Sequence, residues 1–313
     1  MRIARLSGVA SAECRGAAVA IGNFDGVHRG HRVLIARAAE EATRLGRPAG
    51  VLTFEPHPRE YFAANAPAFR LTNFRAKAMS LCGTGIDVMA VAPFGRPMAE
   101  MSATEFVGEG LVRRLGVAHV VVGYDFAFGH KRAGNVAMLK AMGAERGFGV
   151  TVVEPVREGE EVFSSTRIRD ALWQGAPRRA ADLLGHDWEV HGRVIKGDQR
   201  GRTIGFPTAN VALGGYIEPQ FGVYAVRIGW DEGGTTVWHD GVANLGRRPT
   251  FNKSDVMLEV NVFDFAGDLY GRHTQVRFID FIRAERKFDG LDALKAQIAA
   301  DAAQARRVLG TNG

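Results

Sequence analysis

Between residue 17 and about residue 155 the chain alternates short runs of Val, Ile, Ala and Phe with longer stretches whose apolar positions recur at helical spacing. AAVAIGNF, AGVLTF, DVMAVAPF, AHVVVGYDF and GVTVVEP read as strands, apolar on both faces as the strands of a covered parallel sheet are. The stretch from His31 to Leu45, with Val33, Leu34, Ala38 and Leu45 near one face, reads as a helix, and so does Thr104 to Leu115. This alternation predicts βαβ units. After about Gly185 the texture changes to VHGRVIKG, YAVRIGW, TVWHDGVANLG, MLEVNVFDF and TQVRFIDFIR, strand-like segments broken by Gly, Pro and Asp turns with no long helix between them. Such a run predicts an antiparallel barrel or sandwich. The closing segment places Leu291, Leu294, Ile298, Ala302 and Ala305 at helical spacing, with Asp289 as the expected cap of a helix packed on the barrel. We therefore expect an α/β domain over residues 1–185 and an antiparallel β domain with a C-terminal helix over residues 186–313.

Composition narrows the function classes. With 313 residues, 46% of them apolar, the chain can bury two cores. Its formal charge of +6, from 40 Lys and Arg against 34 Asp and Glu, is a modest basic excess. Arginines pair at Arg178–Arg179, Arg247–Arg248 and Arg306–Arg307, but no run reaches the length of a nucleic-acid patch. Small polyphosphate substrates account for the charge equally well, and neither nucleic acid nor membrane is expected as a partner. Two cysteines, Cys14 and Cys82, give neither a disulfide framework nor a zinc site. The start, MRIARLSGVASAECRGAAVAIG, resembles an export signal only superficially, since Glu13 and Arg15 interrupt it. A cytosolic location is expected.

The segment AVAIGNFDGVHRGHRVL runs from a buried-looking strand through a Gly-rich loop into a helix. Such a junction aims free backbone N–H groups and the positive helix end at an anion. His28 and His31, three apart across Gly30, can then face one phosphate and balance charge as it builds. For an isolated histidine pair, capping is the simpler reading; the strand, Gly26, Gly30 and the helix around these two favour phosphate. This HxGH arrangement resembles the signature of the nucleotidyltransferase superfamily, and SSTRIRDAL at 164–172 resembles its ISSTxIR element. The resemblance implies a Rossmann-like α/β domain in which Ser165, Thr166 and Arg169 hold the β and γ phosphates of ATP. TFEPHPREYF, RLTNFRAKAMSLCGTGIDVM and VGYDFAFGHKRAG are similar to stretches of the bacterial FMN adenylyltransferase branch. By that likeness Asn23, Phe24 and Asp25 shape the floor of the ATP pocket, while Asp125, Phe126 and Phe128 lie beside the flavin or adenine. Phe54 and Phe126 can equally be core residues.

In the second half, GDQRGRTIGFPTAN combines Gly197, Gly201 and Gly205 with Pro207 and two hard oxygen ligands, Thr208 and Asn210, which an extended chain points the same way. GRxxGFPTAN resembles the riboflavin kinase signature, and FGVYAV, GVANLGRRPTF and LEVNVFDFAGDLYG extend the likeness nearly end to end. The resemblance implies a six-stranded Greek-key barrel. It also implies that Thr208 and Asn210 hold Mg²⁺ and ATP, that Glu259 is the general base, and that Asn244 and Arg247 sit on a neighbouring loop near flavin or nucleotide. Asn261 stands where many relatives carry histidine, and GGYIEPQFG is an unusual wording before the next strand.

The function implied is bifunctional: riboflavin is phosphorylated to FMN by the second half, and FMN is adenylylated to FAD by the first, with ATP and Mg²⁺ serving both. Two competing readings are an enzyme with one working half and a flavin- or RNA-binding regulator on the same fold. The regulator predicts lost phosphate ligands and a stronger basic patch.

Overall fold

A computed structural model describes all residues except 64, 198–205, 251–252 and 311–313, and the side chains of all of these except those at 248–250 and 253–255. By contacts the chain forms two compact units, Met1–Ala66 with Lys77–Ser164, and Pro67–Ala76 with Ser165–Gly313.

The first unit is built on a six-stranded sheet. Strands β1 (Arg2–Arg5), β2 (Ala18–Ile21), β3 (Ala49–Glu55), β4 (Val88–Pro93), β5 (His119–Gly123) and β6 (Gly149–Val153) lie in the order β1-β4-β3-β2-β5-β6. All neighbours are parallel. The five apolar runs read from sequence are the five strands inward of β1. Edge strand β1 was hidden because its RIAR alternates arginine with apolar residues, the texture of a solvated segment. Helix α1 (Arg29–Leu45) buries Ile35, Ala38 and Ala42 and ends on Gly46, whose φ of 61° is the left-handed cap that favours glycine; α2 (Phe74–Cys82) and α3 (Val136–Arg146) follow it along the chain. The expected helix near 104–115 is present as a short α turn, Ala103–Glu105, running into a π-helical stretch, Phe106–Leu115, that buries Phe106, Val107, Leu111 and Leu115 in the core.

In the second unit β7 (Trp188–Ile195), β8 (Ala209–Ala212), β9 (Gly222–Glu232), β10 (Thr235–Thr250), β11 (Lys253–Val262) and β12 (His273–Ala284) close a barrel in the order β7-β8-β11-β10-β9-β12. Every pairing is antiparallel. Hairpins join β9, β10 and β11, and β12 returns to lie beside β9, which is the Greek-key order. Alternation sorts the side chains by face. Val190, Val211, Tyr224, Val226, Leu245, Leu258, Val260 and Phe278 fill the interior. On the outer face Val223, Ala225 and Val242 pack with Ala305 and Leu309 of the last helix, α6 (Leu291–Leu309). That helix starts after Gly290, which has φ 121° and no side-chain cap, so Asp289 does not cap it.

Helices α4 (Ser165–Trp173) and α5 (Pro177–Leu184) also belong to this unit. The segment Pro67–Ala76 joins it through backbone acceptors: Trp188 Nε1 donates to the Leu71 carbonyl at 2.9 Å, Ile217 N–H to that of Arg70 at 2.8 Å, and Arg169 Nε to that of Phe69 at 2.7 Å. The loop GGYIEPQFG has its own reasons here. Buried Tyr216 accepts the His191 N–H at 3.0 Å, and Glu218 pairs with Arg247 at 2.8 Å.

Candidate functional site

In a parallel α/β sheet the loops after the strands' C-terminal ends converge on one edge, where ligands bind. The loop after β2 carries the two histidines. His28 is the N-cap of α1, its Nδ1 accepting the His31 N–H at 3.3 Å. With Nδ1 accepting, the neutral form of the ring carries its proton on Nε2. Capping and phosphate-facing are thus compatible in one side chain. The two rings stack with centroids 3.6 Å apart, and Phe24, fully buried, meets His31 edge-on at 5.2 Å. His31 Nδ1 is buried without a hydrogen-bond partner. Burial holds the His31 imidazole well below the ordinary histidine range, with His28 and then Lys77 pushing the same way. A neutral, desolvated imidazole at a helix start can hydrogen-bond a phosphate oxygen without carrying charge of its own.

The strained backbone of this loop is local to the site. Phe24 (φ 48°), Gly26 (φ 89°) and Val27 (φ 44°) all lie in the left-handed region, and the Asn23 carbonyl is held by Thr53 Oγ1 at 3.2 Å. Asp25 is buried. Gly30 is needed for closeness: a β-carbon there would sit 3.1 Å from His28 Cε1 and 3.4 Å from the Phe163 carbonyl oxygen.

The loops after β3, β4 and β5 add aromatic surface. Tyr61, Phe62 and Phe94 form a triangle of edge-on contacts at 5.2 to 5.7 Å, continued by Phe54 against Phe94, and Phe62 is 69% exposed. Local spacing could not reveal this cluster, because its members come from two loops. After β5, Asp125 is exposed, and Phe126 stacks on Phe128 at 5.4 Å. Phe128 is a core residue and Phe126 packs against that core, so they form the wall beneath Asp125 rather than an open face.

Lys77 also escaped the sequence reading. It is fully buried, its Nζ 2.6 Å from Glu55 Oε1 and 3.5 Å from Thr53 Oγ1. Lysines are almost never buried unless paired, and nothing in FRAKAMSLC marks this one out.

In the second unit Ser165 is half-buried and Thr166 exposed at the start of α4, while Arg169 is buried, its guanidinium over the Phe69 ring at 5.3 Å. On the barrel, strand register brings together three residues that lie far apart in sequence: Glu259 of β11 is directly opposite Asn210 of β8 on one side and Asn244 of β10 on the other. Directly opposed residues share a face, and this row shares the outer face with Val223, next to Asn244 across β9. Asn244 thus sits within a strand, not on the expected loop. Asn210 is buried, and its Oδ1 has no hydrogen-bond partner. Gly197 makes room for it, since a β-carbon there would fall 2.6 Å from Asn210 Nδ2. Asn261 donates from Nδ2 to the Pro207 carbonyl at 2.8 Å and so fixes the segment carrying Thr208. A cleft of about 70 Å³ opens beside Thr208, walled by Val194, Phe265, Leu269 and Tyr270. Arg247 does not join the row: three residues beyond Asn244, it is tied to Glu218 and lies over the Phe221 ring. Gly201 and Gly205 lie outside the described residues.

The fold is a parallel α/β unit followed by a closed Greek-key barrel. A family model described as FAD synthetase matches residues 10–167, and one described as riboflavin kinase matches residues 184–309. The bifunctional riboflavin kinase/FMN adenylyltransferase of Escherichia coli K12 is 44% identical over 94% of this chain and 93% of its own. That of Haemophilus influenzae is 44% identical over 93% and 94%, and that of Listeria monocytogenes 38% over 90% and 89%. The chain belongs to the bifunctional riboflavin kinase/FMN adenylyltransferase family. A crystal structure named Macrolide-efflux Protein, from Streptococcus pneumoniae, superposes with a TM-score of 0.84 at 30% identity, covering 98% of this chain and 99% of that one. Among the described residues no helix is long and apolar enough to cross a membrane.

Proposed function

We propose that the barrel unit phosphorylates riboflavin to FMN and that the α/β unit adenylylates FMN to FAD, with residues 1–185 and 186–313 as the two functional domains. The observation that carries the reading is the register of Asn210, Glu259 and Asn244, which puts a carboxylate beside an unsatisfied buried acceptor on a strand of the riboflavin kinase signature.

In the kinase reaction Glu259 accepts the proton of the ribityl terminal hydroxyl as its oxygen bonds to the γ-phosphorus and the bond to the β-phosphate oxygen breaks, leaving ADP. Asn210 Oδ1 and the Thr208 hydroxyl are hard oxygen donors of the kind Mg²⁺ takes, and the orphaned Asn210 oxygen fits that role. When bound, Mg²⁺ supplies charge neutralisation for the triphosphate. Among the described residues there is no group of three His, Cys, Asp or Glu side chains placed to hold a metal ion. Asn261 holds Pro207 so that Thr208 faces the cleft, and Asn244 extends the row toward the flavin.

In the adenylyl transfer an oxygen of the FMN phosphate attacks the ATP α-phosphorus, and pyrophosphate leaves. No protein nucleophile is needed. His28 Nε2–H and the His31 ring stabilise the charge on the α-phosphate, the loop from Asn23 to Gly30 supplies backbone N–H groups, and Ser165, Thr166 and Arg169 hold the outer phosphates. The exposed Tyr61–Phe62–Phe94 surface offers the flavin ring a stacking face, with Asp125, above the Phe126–Phe128 wall after β5, as a further contact to flavin or adenine. The free thiols of Cys14 and Cys82 fit a cytosolic enzyme of small-molecule substrates.

The test is chromatographic separation of flavins after incubating the full chain with riboflavin, ATP and Mg²⁺. FMN followed by FAD is expected. FMN alone would leave one working half, and unchanged riboflavin together with unconverted added FMN would favour a flavin-binding regulator.

A further inference from the structure

Beneath the histidine loop lies a polar chain that the reactions above do not use. Lys77 Nζ contacts Glu55 Oε1 at 2.6 Å and Thr53 Oγ1 at 3.5 Å, and Thr53 Oγ1 donates to the Asn23 carbonyl at 3.2 Å. Asn23 begins the loop whose left-handed residues, Phe24, Gly26 and Val27, carry the chain into His28. Lys77 has no exposed surface, whereas Glu55 keeps 17% of its side chain accessible. A fully buried ammonium is costly and persists where its surroundings hold it. In this chain they hold it under the one loop that presents both histidines.

We propose that Lys77 is a positioning residue for adenylyl transfer: its buried ammonium anchors Thr53 and Glu55 beneath the Asn23–His31 loop and so holds the loop that presents both histidines.

One consequence follows from electrostatics. The ammonium disfavours a second positive charge on His31, acting in the same direction as burial and His28. The groups acting on His31 are His28 at the start of α1 and Lys77 from the helix Phe74–Cys82; Glu55 of β3 is tied to Lys77, Asp25 is buried in the preceding loop, and Arg29 is paired with Glu158 at 3.6 Å.

This inference rests on the FAD-forming reading, and wild-type FAD formation from FMN and ATP is the control that separates the two; failure of that control sinks the reading itself. The test uses the full chain with Lys77→Met, Lys77→Arg and the double variant Lys77→Met/Glu55→Gln, which removes both charges of the pair. Riboflavin phosphorylation by the same molecules and their thermal midpoints report folding. The expected result is a fall of about 10²-fold in kcat/KM for FAD formation in the Met variants, the size of effect a misplaced site produces, with phosphorylation unchanged and partial recovery in Lys77→Arg. The His31 imidazole, followed by NMR in histidine-labelled protein, titrates at higher pH once the ammonium is gone. Undiminished FAD formation in the folded double variant, or a His31 titration that does not move, overturns the proposal.

Discussion

Placing Ala at residue 30 tests whether the histidine pair works through its geometry. The new β-carbon would lie 3.1 Å from His28 Cε1, 3.2 Å from Nδ1 and 3.4 Å from the Phe163 carbonyl oxygen, so a neighbour must shift by a few tenths of an ångström. The ring has nowhere easy to go. It is 6% exposed, stacked on His31 with centroids 3.6 Å apart, and tied by Nδ1 to the His31 N–H. Stability and activity should therefore part company. Alanine gains up to about 1 kcal/mol over glycine in a helix interior, less in the first turn, which offsets much of the crowding. Catalysis has no such offset. A 1 Å displacement of a positioned group costs about 10²-fold, and a shift of a few tenths about tenfold, or about 1.4 kcal/mol of transition-state stabilisation. Gly30→Ala should form FAD from FMN about tenfold more slowly, with a thermal midpoint close to the parent's and riboflavin phosphorylation unaffected. Separate initial-rate assays for the two reactions on one preparation decide it. FAD formation at the parent rate would refute the argument that the Gly30 contact fixes the His28 ring.

The same two assays check the other half. Glu259→Gln should abolish FMN formation while sparing FAD formation from supplied FMN, and a protein that keeps phosphorylating riboflavin rules out Glu259 as the base. Gly197→Ala should push the Asn210 amide out of its buried place, since its β-carbon would fall 2.6 Å from Nδ2; phosphorylation should drop by about 10²-fold with a raised Mg²⁺ requirement, and an unchanged Mg²⁺ dependence would contradict the ligand role. His31 also makes a stability prediction. Its folded-state pKa is depressed below 6.5, so below that value the unfolded chain binds a proton that the native site resists. Stability is then full above 6.5 and lost as pH falls toward the native value. The thermal midpoint of the parent should decline more steeply below that pH than the midpoint of His31→Gln, as calorimetry at graded pH can show.

What could be read from sequence divides along physical lines. The inner strands of the parallel sheet are unbroken apolar runs because both faces are covered, and those runs were legible. Edge strand Arg2–Arg5 needs only one neighbour, and its arginines hid it. The histidine pair was legible because the strand, glycines and helix around it are local. The Asn210–Glu259–Asn244 row was not, since only the register of three strands brings it together, although each member lay in a recognisable motif. Asp289 carried the right chemistry for a cap, yet the helix begins one turn position later, where Gly290 supplies the geometry instead. Lys77 and the aromatic triangle depend wholly on tertiary placement, which a one-dimensional pattern does not carry.

The grouping of Pro67–Ala76 with the second unit bears on how this chain can be cut. A gene fragment encoding residues 186–313 looks like a complete kinase module, and its family match begins at residue 184. Yet the Trp188 indole, almost wholly enclosed, would lose the Leu71 carbonyl that receives its proton, and Ile217 would lose that of Arg70. Each is a buried donor left without an acceptor, at a cost of about 1–3 kcal/mol apiece. The barrel's stability is thus partly written in the reading frame of its neighbour, and expression of the excised piece would be improved by supplying that stretch as a fused strap rather than by trimming the boundary.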